Sequence, residues 1–437
     1  MLNIIPMSGK AILFCEKKGE SMKIISLKFL AVVFAVIFSW AILAKDRVYA
    51  KVEGEISVTP CFSQMDGFEI EKTGANASDF LQTKAKSAYL IDFATGTQMY
   101  AYDEKKHLPI ASMCKIMTLI LSFEAVDEGK FSYEDTICVS ENASSMGGSQ
   151  VFLEANAKYP VKELIKSIIV CSANDSCVAM AEAICGNEPL FVEKMNEKAK
   201  EIGAYDTLFA NCTGLPREPQ YSCAKDVALM LKELLKHEKY FEFGKVWMDK
   251  FSHPEGRYTE ITNTNKLVRF YDGCDGGKTG FTNQAGFCLA ATAKRNDLRV
   301  ISVVIGEENS KNRFDDVRTM FDYAFANYSV KPIVETNVPL ESKVTVRKGK
   351  SKDVAVYPEK TSYALMRRGE NFNYSQEVIF HNVCAPVKKG EQVGEMIIFK
   401  DGVEIDRVSL VAFETVEKAN FFDHFKAVAR GWNSRNS

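Results

Sequence analysis

The spacing of apolar residues changes several times along the chain, and each change predicts an element. Between residues 87 and 102 polar and apolar positions alternate and break at Thr95-Gly96, which predicts a β-hairpin. From residue 112 the period lengthens. Ile116, Leu119, Ile120 and Phe123 recur at three- and four-residue steps, so Ser112 opens a helix. A second helical region covers residues 160–183, with an interruption near Ser172, and amphipathic helices follow at 191–202 and 225–237. After Cys274 the pattern returns to strands, 287–293 and 299–305, and then to a helix over about 314–328. Strands at both ends with helices between them predict an α/β (α+β) domain whose two ends share one sheet.

From about Pro332 the texture becomes one of short alternating runs: Val344-Thr-Val346, Val354-Ala-Val356 and Val378-Ile-Phe380. Residues 396–399 and 403–411 flank Lys400-Asp401-Gly402, where Asp-Gly is a strong hairpin signal. This predicts a small C-terminal all-β domain, residues 331–416, with no catalytic cluster and a role in spacing or partner contact. In the tail, 417–437, Phe421, Phe425, Val428 and Trp432 share one helical face, and Lys418, Lys426 and Arg430 add positive charge. A basic amphipathic helix of this kind suits a membrane surface; the alternative is a helix packed on the β domain.

At the other end, Lys23 and Lys28 precede an uncharged run, 29–44, followed by the small-residue pattern Val48-Tyr-Ala50. The run is shorter than the ~20 residues of a membrane span, so residues 1–50 read as a secretory signal region. The first 21 residues fit no part of such a signal, which places the true start at Met22. Residues 51–85 form a lead-in, and 86–330 the main domain.

Composition narrows the chemistry. A chain of 437 residues holds two domains and a large core, and a net charge of −2 gives no reason to expect nucleic acid as a partner. Twelve cysteines in an exported protein invite a disulfide framework. They are scattered without C-x-x-C pairs, however, and Cys171, Cys177 and Cys185 sit in apolar helical runs, so they read as small hydrophobes. The five histidines are dispersed and H-E-x-x-H is missing, so neither zinc nor any other cofactor is expected.

Three short motifs carry the candidate chemistry, in this order: Ser112-Met-Cys-Lys115, Ser172-Ala-Asn174 and Lys278-Thr-Gly280. A serine hydroxyl is a weak nucleophile at neutral pH and needs an adjacent base. On a helix, Lys115 at i+3 shares a face with Ser112, with Cβ atoms about 5–6 Å apart. Its ammonium must first lose its proton, which burial and a second cation favour; Lys278 is the candidate. Cys114, at i+2, points elsewhere and reads as packing. The chain also carries decoys. Ser222-Cys-Ala-Lys225 repeats the first motif, but follows the S-x-N it should precede. Ser140-Glu-Asn142 repeats the second, in a polar stretch, 140–150, that reads as loop. Taken singly, Ser172 and Asn174 also fit a capping pair.

Together these residues resemble the D-alanyl-D-alanine carboxypeptidases, low-molecular-mass penicillin-binding proteins of the serine-peptidase type. The resemblance extends to Pro109-Ile-Ala-Ser-Met-Cys-Lys115, Ser172-Ala-Asn-Asp175, Asn211-Cys-Thr-Gly-Leu215 and Asp275-Gly-Gly-Lys-Thr-Gly-Phe-Thr282. It covers residues 86–330 and, more loosely, 331–415. It implies a β-lactamase/transpeptidase-like fold, an antiparallel sheet flanked by helices. It implies Ser112 as nucleophile, Lys115 as base and Ser172 as proton relay. Asn174 would orient the substrate amide, and Lys278 and Thr279 would bind its terminal carboxylate. Gly280 lets backbone and substrate approach closely. The oxyanion hole would be the N–H groups of Ser112 and Phe281, and Asp175 would cap the following helix. The implied partners are peptidoglycan stem peptides and β-lactam antibiotics, at the outer face of the cell membrane or in the wall. The alternatives are a β-lactamase, against which Ser-Ala-Asn stands in place of S-D-N, and a non-enzymatic penicillin sensor or wall-binding protein.

Overall fold

In the computed structural model, which describes residues 81–370, 373–421 and 423, the predicted hairpin is β1 (Ser87–Asp92) and β2 (Gln98–Tyr102). The chain then runs through α1 (Lys115–Asp127), α2 (Val161–Val170), α3 (Asn174–Cys185), α4 (Glu188–Glu201) and α5 (Ala224–Leu234). An outlying hairpin, β3 (Met248–Ser252) and β4 (Tyr258–Thr262), was not visible in the sequence pattern. The chain returns as β5 (Cys274–Thr282), β6 (Gly286–Arg295) and β7 (Leu298–Glu307) and leaves through α6 (Ser310–Asn327). The sheet order is β2-β1-β7-β6-β5, antiparallel throughout. First and last strands pair, so the two ends share one sheet as expected.

Strand periodicity sorts the side chains into two layers. Tyr89, Ile91, Ile301, Val303 and Ile305 face a core shared with α1–α5. Ala88, Leu90, Val300 and Val304 face the other way, against Phe314, Val317 and Phe321 of α6. The helix α1 runs through the first core, and every residue from 115 to 123 is buried. A helix without a polar face belongs in an interior. Its polar members are bonded there: Thr118 Oγ1 donates to Cys212 O at 2.7 Å and Ser122 Oγ to Thr118 O at 2.7 Å.

Beyond α6 the structure is all β. β8 (Tyr328–Val334) pairs across the chain with a later strand. β9 (Lys343–Arg347), β10 (Asp353–Pro358) and β11 (Ser362–Arg367), the partner of β8, come next. They are followed by β12 (Tyr374–Phe380), β13 (Val383–Cys384), β14 (Gln392–Lys400) and β15 (Val403–Ala412). Six of these form a sheet in the order β12-β14-β15-β10-β9-β13. The Asp-Gly signal lands where it should. Lys400 pairs with Val403, and Asp401 and Gly402 between them have φ of 50° and 81°, as a two-residue hairpin turn requires. Valines at 344, 346, 354, 356 and 393 build this part's own core.

The signal region, most of the lead-in and the tail residues Phe425, Val428 and Trp432 lie outside the described residues. Among the described ones, no helix is long and apolar enough to cross a membrane.

One buried carboxyl makes the stability of this fold depend on pH. Glu307, at the end of β7, is 1% exposed, and its carboxyl lies beside the side chains of Asp316 and Asn312. Its neighbour Asp316 already accepts from Thr83 Oγ1 at 2.6 Å and Lys84 N at 3.0 Å. Burial, and then the Asp316 carboxylate, push the Glu307 pKa up to about 8. The unfolded chain releases this proton near pH ~4.3, so stability falls as pH rises from there through 8. Glu307→Gln removes the ionisation. The variant should exceed wild type in stability by up to about 5 kcal/mol at pH 8.5 and match it closely at pH 4.5. Thermal melts at the two pH values test this; an equal shift at both would assign the effect to packing.

Candidate active site

Ser112 lies in a 3-10 turn, Ala111–Cys114, that leads into α1. Such a turn brings residues i and i+3 over one another, and Lys115 Nζ is 2.9 Å from Ser112 Oγ. Lys115 is fully buried, and Nζ also donates to Thr213 O at 2.6 Å. Burial pulls its pKa below the usual lysine value. Four neutral thiols (Cys114, Cys171, Cys177 and Cys212) stand around it. Burial raises all four, Cys171 and Cys177 to about 12, so they remain protonated.

The Asn211–Leu215 segment is folded against the start of α1. Asn211 Oδ1 accepts from Gly214 N at 2.7 Å and Asn211 Nδ2 donates to Leu215 O at 2.8 Å, making a tight turn. Cys114 Sγ donates to Asn211 O at 3.2 Å. Gly214 has φ +78°, and a Cβ there would lie 2.0 Å from Ala111 O. This packing holds Ala111 itself at φ 47°, just before Ser112.

Ser172 sits between α2 and α3 at φ 65°, 3% exposed, with no partner for its Oγ. The predicted interruption is therefore a three-residue break, 171–173, with Ser172 left-handed at its centre. Asn174 opens α3. Its Nδ2 donates to Gly147 O at 2.6 Å and its backbone N to Ser149 O at 2.7 Å, so a loop around 147–149 wraps the side chain. Asp175 is not primarily a cap. Its carboxylate accepts from Val151 N at 3.1 Å and Leu153 N at 3.1 Å, as well as Ser176 N at 2.9 Å, and so pins the same loop. The sequence reading assigned it to the helix start because that is the commonest use of Asp before a helical run.

Lys278, Thr279 and Gly280 lie on the edge strand β5, with Lys278 only 2% exposed. Burial, and then the Lys115 charge, depress Lys278 well below the usual lysine range, so the two cations of the reading are neighbours. A Cβ on Gly280 would lie 2.6 Å from Ile110 O, so β5 runs directly against the turn that carries Ser112. Phe281 is half exposed and its ring lies 4.3 Å from that of Phe287.

Two supports of this strand had escaped the sequence reading. Tyr240 Oη accepts from Gly277 N at 2.8 Å. Buried Arg313 donates through Nη1 to Gly280 O at 3.2 Å. Both are far from the motifs in sequence and carry no local signal, although a buried arginine on an amphipathic helix is itself a hint. The decoys have ordinary duties. Ser140 Oγ accepts from Ala143 N at 2.9 Å to start a short helix, Glu141–Ser144, within the stretch read as loop. Ser222 is buried and shares a 2.8 Å hydrogen bond with Thr207.

Among the described residues, Asp206, Cys223 and Asp226 are the one group spaced for a metal. Their atoms serve the start of α5: Cys223 Sγ accepts from Asp226 N, and Asp226 Oδ2 from Asp206 N and Thr207 Oγ1.

The described geometry can be set beside known proteins. Residues 72–309 match the family model described as D-alanyl-D-alanine carboxypeptidase, and residues 328–418 that of the penicillin-binding protein 5 C-terminal domain. The chain is 41% identical over 354 residues to D-alanyl-D-alanine carboxypeptidase DacF of Bacillus subtilis, covering 80% of this chain and 91% of that one. It is 29% identical to DacC of Escherichia coli, over 77% and 86% of the two chains. Penicillin-binding protein 5 of Haemophilus influenzae superposes with a TM-score of 0.64 at 28% identity, over 77% of this chain and 98% of that one. Penicillin-binding protein D2 of Listeria monocytogenes, in its ampicillin-bound form, gives a TM-score of 0.51 at 28% identity, over 56% and 99%. On the family match and the length shared with these relatives, the chain belongs to the D-alanyl-D-alanine carboxypeptidase family.

Proposed function

We propose that this chain is a serine-type carboxypeptidase that removes the terminal D-alanine from peptidoglycan stem peptides through an acyl-enzyme on Ser112. One observation carries the assignment of residues: a buried lysine, depressed in pKa, whose Nζ lies 2.9 Å from a serine Oγ at a helix start. A base poised near neutrality is what a serine nucleophile needs.

In the proposed cycle Ser112 Oγ attacks the carbonyl between the last two D-alanines while Lys115 takes its proton. The tetrahedral oxyanion meets the N–H groups of Ser112 and Phe281; one such donor typically contributes ~10²–10³ in turnover. The C–N bond then breaks, and the proton reaches the departing amine through Ser172, whose Oγ has no other partner. Water then attacks the ester while Lys115 takes a proton from it, and as the acyl C–O bond breaks that proton passes to Ser112 Oγ, which regenerates Ser112 and the neutral lysine. Asn174 orients the substrate amide. Lys278 and the Thr279 hydroxyl hold the terminal carboxylate, which explains preference for a C-terminal dipeptide. A β-lactam enters the same chemistry, but its cleaved amide stays tethered and the acyl-enzyme persists. Ampicillin and cefotaxime are bound in structures of the Listeria relative, which supports lactams as ligands here.

Export is part of the proposal. It rests on the signal-like residues 22–50 and on the chemistry of the substrate, which lies outside the membrane. In this proposal the basic, apolar-striped tail, residues 417–437, holds the enzyme at the membrane surface.

Three measurements test these roles. Ser112→Ala should abolish both labelling by penicillin and release of D-alanine from diacetyl-lysyl-D-alanyl-D-alanine, with the thermal melt unchanged. Labelling of that variant at Ser222 would overturn the assignment. Lys278→Ala should damage turnover of the acid peptide far more than of its C-terminal amide, since the charge-assisted contact is worth about 1.5–3 kcal/mol. Equal losses would mean that Lys278 acts through the pKa of Lys115. Deleting residues 417–437 should release the protein from membranes without altering activity on the soluble peptide, because four large apolar side chains at ~1.5–3 kcal/mol each suffice for interfacial binding. A truncated protein that melts earlier and stays with membranes would place the tail on the β domain.

A further inference from the structure

The loop that wraps Asn174 continues into a conformation that no mechanistic step above uses. Phe152 has φ +63°. A bulky residue there is a true outlier, and such outliers persist only where their surroundings hold them. Here they do so from two sides. Asp175, fully buried, accepts from the N–H groups of Val151 and Leu153. Arg257, at the tip of the β3–β4 hairpin, donates through Nη2 to Phe152 O at 2.9 Å and to Glu154 Oε1 at 2.7 Å. Thr259 Oγ1 of β4 adds a bond to Val151 O at 3.2 Å.

The result is an unusual display. Val151 and Leu153 are buried at 0% and 4%, whereas Phe152 between them is 56% exposed. The outlying hairpin thereby has a task, as a brace for this loop. The loop also lies at the site. Gly147 O and Ser149 O bind Asn174, and a Cβ on Gly148 would approach both Asn174 Nδ2, at 2.8 Å, and Leu215 Cδ2, at 3.9 Å.

We infer that Phe152 is a specificity-determining residue, an apolar wall that contacts the substrate peptide on the N-terminal side of the reacting D-alanyl-D-alanine. The direction follows from the proposed function, on which this inference rests. The terminal carboxylate goes to Lys278 and Thr279 on β5. Asn174, at the start of α3, takes an amide of the acyl portion, and the loop bonded to Asn174 is the one that carries Phe152, so what extends past Asn174 is directed to that loop. The chemical class is an aliphatic side chain on the residue preceding the two D-alanines, which an aromatic face covers without demanding a partner for any polar group.

The test compares diacetyl-lysyl-D-alanyl-D-alanine with acetyl-D-alanyl-D-alanine, using the full-length protein and its Phe152→Ala, Phe152→Leu and Phe152→Gly variants. With Phe152→Ala the ratio of kcat/KM values, tripeptide over dipeptide, should fall about tenfold, carried by KM of the tripeptide. Phe152→Leu should restore most of the ratio. Phe152→Gly should lose the ratio as Phe152→Ala does, yet melt at a higher temperature than wild type, because glycine adopts positive φ freely. An unchanged ratio in Phe152→Ala would overturn the inference alone. So would a Phe152→Gly protein that melts earlier than wild type, since the side chain would then be packing. Wild-type protein that releases D-alanine from neither peptide would overturn the proposed function, and this inference with it.

Discussion

The constraint on which the site depends is the burial of an ammonium-bearing side chain beneath a serine. Lys115 has no exposed surface, and among the described residues its Nζ donates to Ser112 Oγ and Thr213 O. An uncompensated charge there is costly, and the group answers by shifting its pKa downward. Everything around Lys115 preserves that burial. The helix α1 is buried from residue 115 to 123 and lies inside the helical core, the Asn211–Leu215 turn closes over its start, and β5 runs against the turn carrying Ser112. The same burial, and then the Lys115 charge, depress the nearby Lys278. The fold supplies a compartment closed to solvent, which favours the neutral lysine that the proposed function requires.

Holding that arrangement puts the backbone under strain at three places, Ala111, Ser172 and Phe152, which have φ of 47°, 65° and 63°. Each lies within or beside a proposed working group. Left-handed non-glycine residues cost of order 1–3 kcal/mol when held in sparsely populated regions, and they persist here because neighbours over-determine them. Ala111 is held by the close approach of Gly214. Phe152 is held by Asp175 and by Arg257. The two glycines at 214 and 280 matter through the space they leave, since a Cβ at either would meet backbone oxygen of the Ile110–Ala111 segment.

Much of this was legible in the sequence, and what was missed shares one cause. Elements with strong periodicity were placed correctly: the 87–102 hairpin, α1, the interrupted helix at Ser172, the strands after Cys274 and the Asp401-Gly402 turn. The motif residues could be gathered because each carries its signal within a few neighbours. Asp175, Tyr240 and Arg313 do their work over 22 to 37 residues of separation or more, through bonds to backbone atoms that any residue type provides. No local pattern encodes such a bond. The β3–β4 hairpin was invisible for a related reason. Most of its side chains are exposed, as at Met248 and Tyr258, so burial imposed little alternation on it.

The cysteines then acquire a physical rationale that composition alone did not offer. Beyond its bonds to Ser112 Oγ and Thr213 O, a lysine proposed to lose its proton is best walled by small apolar groups. A carboxylate there would stabilise the ammonium and raise its pKa. Thiols are weak acceptors of small volume and behave as apolar groups when buried. Cys114, Cys171, Cys177 and Cys212 all stand near Lys115, and burial keeps each of them neutral far above physiological pH. The logic is mutual. If any of the four ionised, its negative charge would favour the lysine cation and oppose the proposed base. The same low-dielectric packing that depresses Lys115 raises its thiol neighbours, so one physical cause sets both the protonation of the wall and the basicity of the group inside it.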